Sequence, residues 1–438
     1  MKEKKIFDTV TSRSWKKWTA LAACTALVIG GISVIPKRSN HSGEALMAVV
    51  SPKVYGFDDY KTRQEIFDGN PVEDAFLMAV NEFSYKTAAQ ILANSDGNAN
   101  YSPLSLYYAL ALAATGAKGE TADELLSLLG VSDQTALSEQ CGNLYRRLYM
   151  DNKIGKLIIG NSLWMDKSII WENDFIKNAA ENFYAHSFSM DFSDTKTGQS
   201  MAKWISDHTN GTLNPEIEIG PEQILSILNT VYFYDEWVDK FDKTKTAEDS
   251  FYLPDSTTVS CDFMNRTYGS HYFAKGDGFT RSVLSLKNAG SMIFILPDEG
   301  ISPRELLSAP EKAQYIFEGG ENGNGEVVWQ IPKFTFGSKF DFVNTLKSLG
   351  VNAAFQRDAD FSGITGQMAF ITKIHQETHI GLDENGVEAS AFTQIDYMGA
   401  ARPEGRADMI LNRPFIYGIT ASDGTLLFMG ICENPNAK

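Results

Sequence analysis

The amino-acid sequence predicts an α+β domain whose strands are mostly antiparallel. Segments with a period of two, such as Val387 to Met398, occur among segments with apolar residues at helical spacing, such as Pro71 to Ala93; these two periods mark strand and helix. The two kinds do not alternate regularly, which argues against a parallel sheet built from repeated crossovers. Hydrophobic residues at 43% and aromatics at 12% of 438 residues supply a large core. The length allows one large domain or a few average ones, and neither an internal repeat nor a low-complexity segment divides the chain.

The first 38 residues stand apart and form the first of three predicted regions. Lys2, Lys4, Lys5, Arg13, Lys16 and Lys17 precede a run from Trp18 to Ile35 without a charge, closed by Pro36, Lys37 and Arg38. Its 18 residues are about the minimum for spanning a bilayer. The basic N-terminal flank puts that end inside, so the body lies on the extracellular side of a bacterial-type membrane. A retained anchor is the favoured reading. A cleaved signal peptide is the near competitor, although no A-x-A site follows the run, and Leu21-Ala22-Ala23-Cys24 resembles a lipoprotein box with Cys24 as the lipidated residue. Without this segment the body carries 31 Lys+Arg against 53 Asp+Glu, a net charge of −22. So acidic a body repels nucleic acid and anionic lipid. The adjacent Arg146 and Arg147 do not make a basic face.

Residues 39–70 are weakly patterned and read as a linker, and 71–438 as the folded domain. Pro71 to Ala93 is predicted as its first helix, with Phe76, Val80, Phe83, Ala88 and Ile91 on the core side. Ser102 caps the next helix, with Pro103 at its first position, and Leu104 to Ala114 is apolar on nearly every face, so that helix should be buried. Thr121 to Leu129 follows, opened by a capping box from Thr121 to Glu124. Strands are predicted over Leu157–Met165, Ile224–Tyr234, Ser282–Lys287, Met292–Leu296, Val327–Phe334, Phe370–Leu382 and Leu426–Ile431, and helices over Asp174–Ala185 and Lys339–Leu349. Cys141, Cys261 and Cys432 are odd in number, far apart and without a C-x-x-C, so no disulfide framework is expected; they suit small core positions.

The stretch from Asp383 to Pro414 is unusual. Val387, Ala389, Ala391, Thr393, Ile395 and Tyr397 form one face of a strand, and Glu388, Ser390, Phe392, Gln394, Asp396 and Met398 the other. Gly399, Pro403 and Gly405 then end the pattern in a flexible tip. DENGVEASAFT, from Asp383 to Thr393, resembles the hinge of a serpin's reactive-centre loop. Asn100 to Gly130 resembles the serpin segment bearing the buried helix beneath the main sheet, Leu228 to Phe241 the central strand with its tryptophan, and Phe428 to Pro435 the last buried strand. The four motifs stand in the family's order across roughly residues 70 to 438.

The resemblance implies three mostly antiparallel sheets surrounded by helices, an exposed reactive-centre loop and a monomer without cofactor. It also implies a suicide substrate of serine proteases rather than an enzyme. A protease cuts the loop and forms an acyl-enzyme, and the freed loop enters the main sheet as a new strand. On this reading the hinge comprises Glu384, Gly386, Val387, Glu388, Ala389, Ser390, Ala391 and Thr393, whose inward set is small enough to enter a closing sheet. Phe392 departs from the family's small residue but falls on the outward face. A full-length inserted strand ends about 14 residues past Gly386, which sets the reactive bond at Ala400–Ala401. Counting back from Asn412-Arg413-Pro414-Phe415 sets it about three residues later. An Ala–Ala bond suits shallow primary pockets, so elastase-like or subtilisin-like proteases are the expected partners. The alternative is a non-inhibitory serpin acting as a binding or scaffold protein.

Supporting residues carry over by the same resemblance. Lys333 and Glu384 match an ion pair where the loop first enters, with Trp237 beside it. Ser102, Ser105 and Asn229 match a buried polar cluster under the sheet, whose fourth member falls on Gln376, with His375 one residue out of register. His375, Glu377 and His379 alternate and would share a strand face, as metal ligands require, but nothing nearby in sequence completes a shell, so no metal is assigned. No G-x-S-x-G, H-E-x-x-H or phosphate-binding glycine loop is present.

Overall fold

Helix α3 (Pro103–Ala114) lies at the centre of the domain. Ser102 Oγ accepts from Ser105 N at 3.3 Å, Pro103 occupies the first helical position, and Leu104, Tyr107, Tyr108, Ala111 and Leu112 are wholly buried. An all-round apolar helix needs cover on every side. α2 (Asp74–Ile91) and α4 (Gly119–Leu129) supply part of it, as do α5 (Gln134–Leu148) and the main sheet. The computed structural model describes residues 44–220, 222–288, 290–387 and 405–437. The predicted anchor at 1–38, including Cys24, lies outside the described residues. So do Glu388, Ala389, Ser390, Ala391, Thr393, Ala400 and Ala401.

The main sheet runs in the order β1 (Glu44–Met47), β5 (Ala185–Met190), β4 (Lys156–Asp166), β6 (Leu225–Glu236), β14 (Gly386–Val387), β13 (His375–Asp383), β12 (Phe334–Asp341). The short β3 (Met150–Asp151) pairs β4. A second array runs β15 (Gly405–Ile410), β11 (Glu321–Pro332), β8 (Thr258–Gly276), β9 (Phe279–Leu286), β10 (Gly290–Pro297), β16 (Phe415–Thr420), β17 (Leu426–Cys432), β2 (Ala99–Tyr101). β7 (Ala247–Tyr252) pairs β8. Among the described residues the β4–β5 and β11–β15 pairs are parallel and the other ladders antiparallel. The 19-residue β8 pairs β7 through its first third and β9 through its last four residues. Strands beyond the main sheet are thereby joined into one array. The remaining helices are α1 (Tyr60–Gly69), α6 (Asn173–Asn182), α7 (Lys196–His208), α8 (Pro303–Leu306), α9 (Pro310–Glu318) and α10 (Val343–Ser348).

Several sequence expectations need correction. The segment read as a linker, 39–70, contributes β1 to the edge of the main sheet and forms α1, capped by Asp59, whose carboxylate accepts from Thr62 N at 3.0 Å. Its weak pattern reflects shallow packing, with Ile66 the buried residue of α1. α4 begins two residues before the expected capping box, and the box side chains serve other segments. Thr121 Oγ1 accepts from Asp360 N, and Glu124 Oε2 from Asn352 N and Ala353 N. Lys339 to Asp341 continue β12 instead of starting a helix, because each residue pairs across to β13; tertiary pairing overrides local pattern. The run Phe370–Leu382 becomes a strand only from His375, and Val327–Phe334 breaks at Lys333, where the chain passes from β11 to β12. The helix expected over Asp174–Ala185 stops at Asn182, and Ala185 opens β5. Among the described residues no helix is long and apolar enough to cross a membrane.

Candidate functional site: the mouth of the main sheet

The chain turns from β13 into β14 through Asp383-Glu384-Asn385-Gly386. Asp383 Oδ1 accepts from the backbone N–H of Asn385 at 2.8 Å and of Gly386 at 3.3 Å, and Asn385 Nδ2 donates to Asp383 Oδ2 at 3.0 Å. An acidic side chain thus closes a tight turn locally. The two residues of β14 then sit between two strands: Gly386 pairs with Asp383 and Glu236, and Val387 with Leu382 and Asp235. Only glycine fits at 386, since a Cβ there would lie 2.3 Å from the Asp235 carbonyl oxygen and 2.8 Å from Glu236 Cα. Val387 faces the core and is 4% exposed.

Trp237 and Glu384 brace this mouth. Trp237 is 1% exposed, donates from Nε1 to the Asp383 carbonyl at 3.0 Å and from its backbone N to the Asn385 carbonyl at 3.0 Å. The buried Glu384 lies 3.3 Å from Lys333 Nζ and accepts from Thr246 Oγ1 at 2.9 Å. Burial pushes the Glu384 carboxyl up, but its own backbone N–H, Thr246 and Lys333 outweigh that and hold it below the ordinary carboxylate range. Lys333 also lies 4.0 Å from Asp262.

Below Val387 the two flanking strands part company. Among the described residues β6 and β13 share no register pair. A pocket there is lined by Val231, Phe233, Ile380 and Val387, and by Thr209 and Thr212 from the turn that follows α7.

Three of the four polar residues expected beneath the sheet are brought together. Gln376 Oε1 accepts from Ser102 N at 2.9 Å, Gln376 Nε2 donates to the Ser102 carbonyl at 2.9 Å, and Ser102 Oγ, which takes the Ser105 N–H, donates to the Leu427 carbonyl at 2.8 Å. Asn229 is bonded elsewhere. Its Nδ2 donates to Asn161 Oδ1 on β4 at 2.6 Å, while its buried Oδ1 has no partner among the described residues. His375 is exposed, 3.8 Å from Asp341, so the inward position belongs to Gln376. His375, Glu377 and His379 do share the outer face of β13, but Glu377 is held by Lys339 at 2.5 Å and His379 by Thr335 Oγ1 at 3.3 Å. No three of His, Cys, Asp and Glu among the described residues form a group fit for a metal ion. Cys141, Cys261 and Cys432 are free and buried. Arg146 and Arg147 are engaged with Asn70, Asn143, Tyr184 and Phe67.

Sequence reasoning missed Asp235, Glu236, Thr246 and Asn161. The adjacent acids before Trp237, at the end of an apolar run, were a usable signal; Thr246 and Asn161 gave none.

The fold and this half-entered strand define an α+β protein whose main sheet, among the described residues, is paired across its mouth by β14 and has no β6–β13 pair beneath it. Residues 78–435 match the family model described as Serpin (serine protease inhibitor), so the chain belongs to the serpin family, whose members are mostly inhibitors of serine proteases rather than enzymes. The chain is 26% identical over 382 residues to alpha-1-antiproteinase 2 of Equus caballus, covering 84% of this chain and 89% of that protein. The native-state structure of tengpin, a thermophilic serpin, superposes with a TM-score of 0.74 at 27% identity, covering 83% of this chain and 95% of that one. A thyroxine-binding globulin in complex with thyroxine shares the fold at a TM-score of 0.71 and 23% identity, covering 82% and 100% of the two chains.

Proposed function

We propose that the protein is a suicide substrate of serine proteases, with the reactive bond at Ala400–Ala401 and elastase-like or subtilisin-like enzymes as targets. The observation that carries this reading is β14 itself: the loop's first two residues already pair on both sides, between strands that share no pair with each other among the described residues. The protease serine attacks the Ala400 carbonyl, the bond to Ala401 breaks, and the new amine leaves with the segment that continues into β15. The acyl-bearing segment then extends β14 downward. Continuing the register sets Thr393 opposite both Asn229 and Gln376, and Tyr397 opposite Leu225, the first residue of β6. Thr393 would offer a hydroxyl beside the orphaned Asn229 Oδ1. Phe392 falls on the outer face, opposite Glu377 and Thr230. Each ladder bond gained contributes about 0.5–1.5 kcal/mol net, and burial of the inward face adds to it, so the gross gain is on the order of tens of kcal/mol. A gain of that size distorts the active site of the attached protease.

The test is incubation of the full chain, in detergent, with elastase and with subtilisin. Covalent complexes that survive boiling in detergent are expected; cleaved protein without any complex would favour the binding or scaffold alternative. The same reading includes residues 1–38 as an anchor holding outside a membrane a monomeric domain that begins with β1. Partition into the detergent phase checks the anchor, and elution volume checks the monomer.

A further inference from the structure

The upper end of β6 carries two buried acids that trapping as described does not use. Asp235 is wholly buried and Glu236 2% exposed. Asp235 Oδ2 accepts from Asn288 N at 2.9 Å and Oδ1 from Asn288 Nδ2 at 2.9 Å, while Asn288 Oδ1 accepts from Asn152 Nδ2 at 2.9 Å. Glu236 Oε2 lies 2.9 Å from Lys287 Nζ and 3.2 Å from Lys240 Nζ. Backbone bonds join the same places: Lys287 N donates to the Glu236 carbonyl at 2.9 Å and Val238 N to the Ser285 carbonyl at 3.0 Å. Four of these bonds run from β6 to Lys287 and Asn288, the chain just after β9 of the second array.

Buried carboxylates are a poor way to gain stability. Replacing a buried ion pair by packed apolar groups is often neutral or better, whereas ionic groups fix geometry. What is fixed here is the height of β6 at the mouth, because Glu236 and Asp235 are the register partners of Gly386 and Val387. Paired strands lie about 4.8 Å apart, so with β14 between them β6 and β13 stand about twice that distance apart at this level. Unrestrained, they would gain a ladder by closing on each other and expelling β14. We propose that Asp235 with Asn288, and Glu236 with Lys287 and Lys240, are positioning residues: a latch from the second array that holds the mouth of the main sheet open by one strand, ready for the loop. The role in trapping rests on the insertion reading above; the open mouth does not.

Hydrogen exchange of the uncleaved full chain, followed by mass spectrometry, separates the two. D235N and N288A should each speed exchange in the peptide covering Gly386 and Val387 by about tenfold. L128A, a buried change in α4, serves as a control that lowers global stability without touching the mouth. The double variant should exchange no faster than either single one, since both break the same bond. Titrated against a trapped protease, D235N and N288A should release more cleaved inhibitor per complex than L128A does. Should D235N fail to fold, N288A and K287M, which keep both acids, carry the test. Unchanged exchange at 386–387, with faster exchange confined to the turn at 288, would overturn the latch. If the unaltered chain traps no protease, the insertion reading falls while the exchange result still decides the latch.

Discussion

Replacing Gly386 with alanine is the sharpest single perturbation of the mouth. The added methyl would sit 2.3 Å from the Asp235 carbonyl oxygen and 2.8 Å from Glu236 Cα. Both are backbone atoms of β6, and that strand is tied to the second array at this point, so the neighbour cannot step aside as a flexible side chain would. Two exits exist. β6 can be forced outward, an overpacking cost of about 1–3 kcal/mol. Alternatively β14 can leave the sheet, which exposes Val387 at about 1.5–3 kcal/mol and gives up ladder bonds of about 0.5–1.5 kcal/mol each. By the cheaper exit the uncleaved G386A protein loses about 1–3 kcal/mol, a modest fraction of its stability. The larger consequence is that insertion has lost its starting register. Urea unfolding followed by tryptophan fluorescence measures the first effect, and titration against a trapped protease, counting complex against cleaved inhibitor, measures the second. A lowered midpoint and release of most of the variant as cleaved inhibitor are expected. A G386A protein with unchanged midpoint and unchanged trapping would refute the assignment of Gly386 as the hinge.

Further perturbations address the neighbouring groups. E384Q removes the charge opposite Lys333 and should cost about 1–3 kcal/mol at neutral pH in urea unfolding. Because the folded Glu384 carboxyl is held below its ordinary value of 4.5, its contribution is complete above that pH and is lost as pH falls through the lower folded value. The gap between E384Q and the unaltered protein should therefore close in acid and not in base. Q376A strips the partners from Ser102 N and its carbonyl, both buried, and should lower stability by about 1–3 kcal/mol. S102A removes the cap of α3 at about 1 kcal/mol. Because the two side chains share one network, thermal melts of the double variant should show less than the sum of the single effects.

Where one element dictates its own environment, the residues were enough to read it. α3 is apolar all round and capped by Ser102-Pro103, and α2 carries its core face at helical spacing; both form where the pattern places them. β8 defied reading because Asn265, Arg266, Thr267, Ser270 and His271 break any alternation. It is a strand because β11 pairs it across most of its length. Lys339 to Asp341 look helical alone and are extended only because β13 lies beside them. At the site, the partnership of Gln376 with Ser102 was reached through the family resemblance, with strand parity choosing Gln376 over His375; the turn from Asp383 to Gly386 was not predicted, although its bonds span only two or three residues. The bonding of Asn229 to Asn161, and of Asp235 to Asn288, joins residues 68 and 53 positions apart. Nothing local encodes such pairs.

The decisive measurement is calorimetry on two samples of the same chain, one untouched and one nicked between residues 397 and 405. An unfilled place in the main sheet predicts that the nicked sample unfolds at a markedly higher temperature, since its severed strand can take that place. Coincident transitions would mean the sheet is already complete as folded, and with that the proposed trap would be gone.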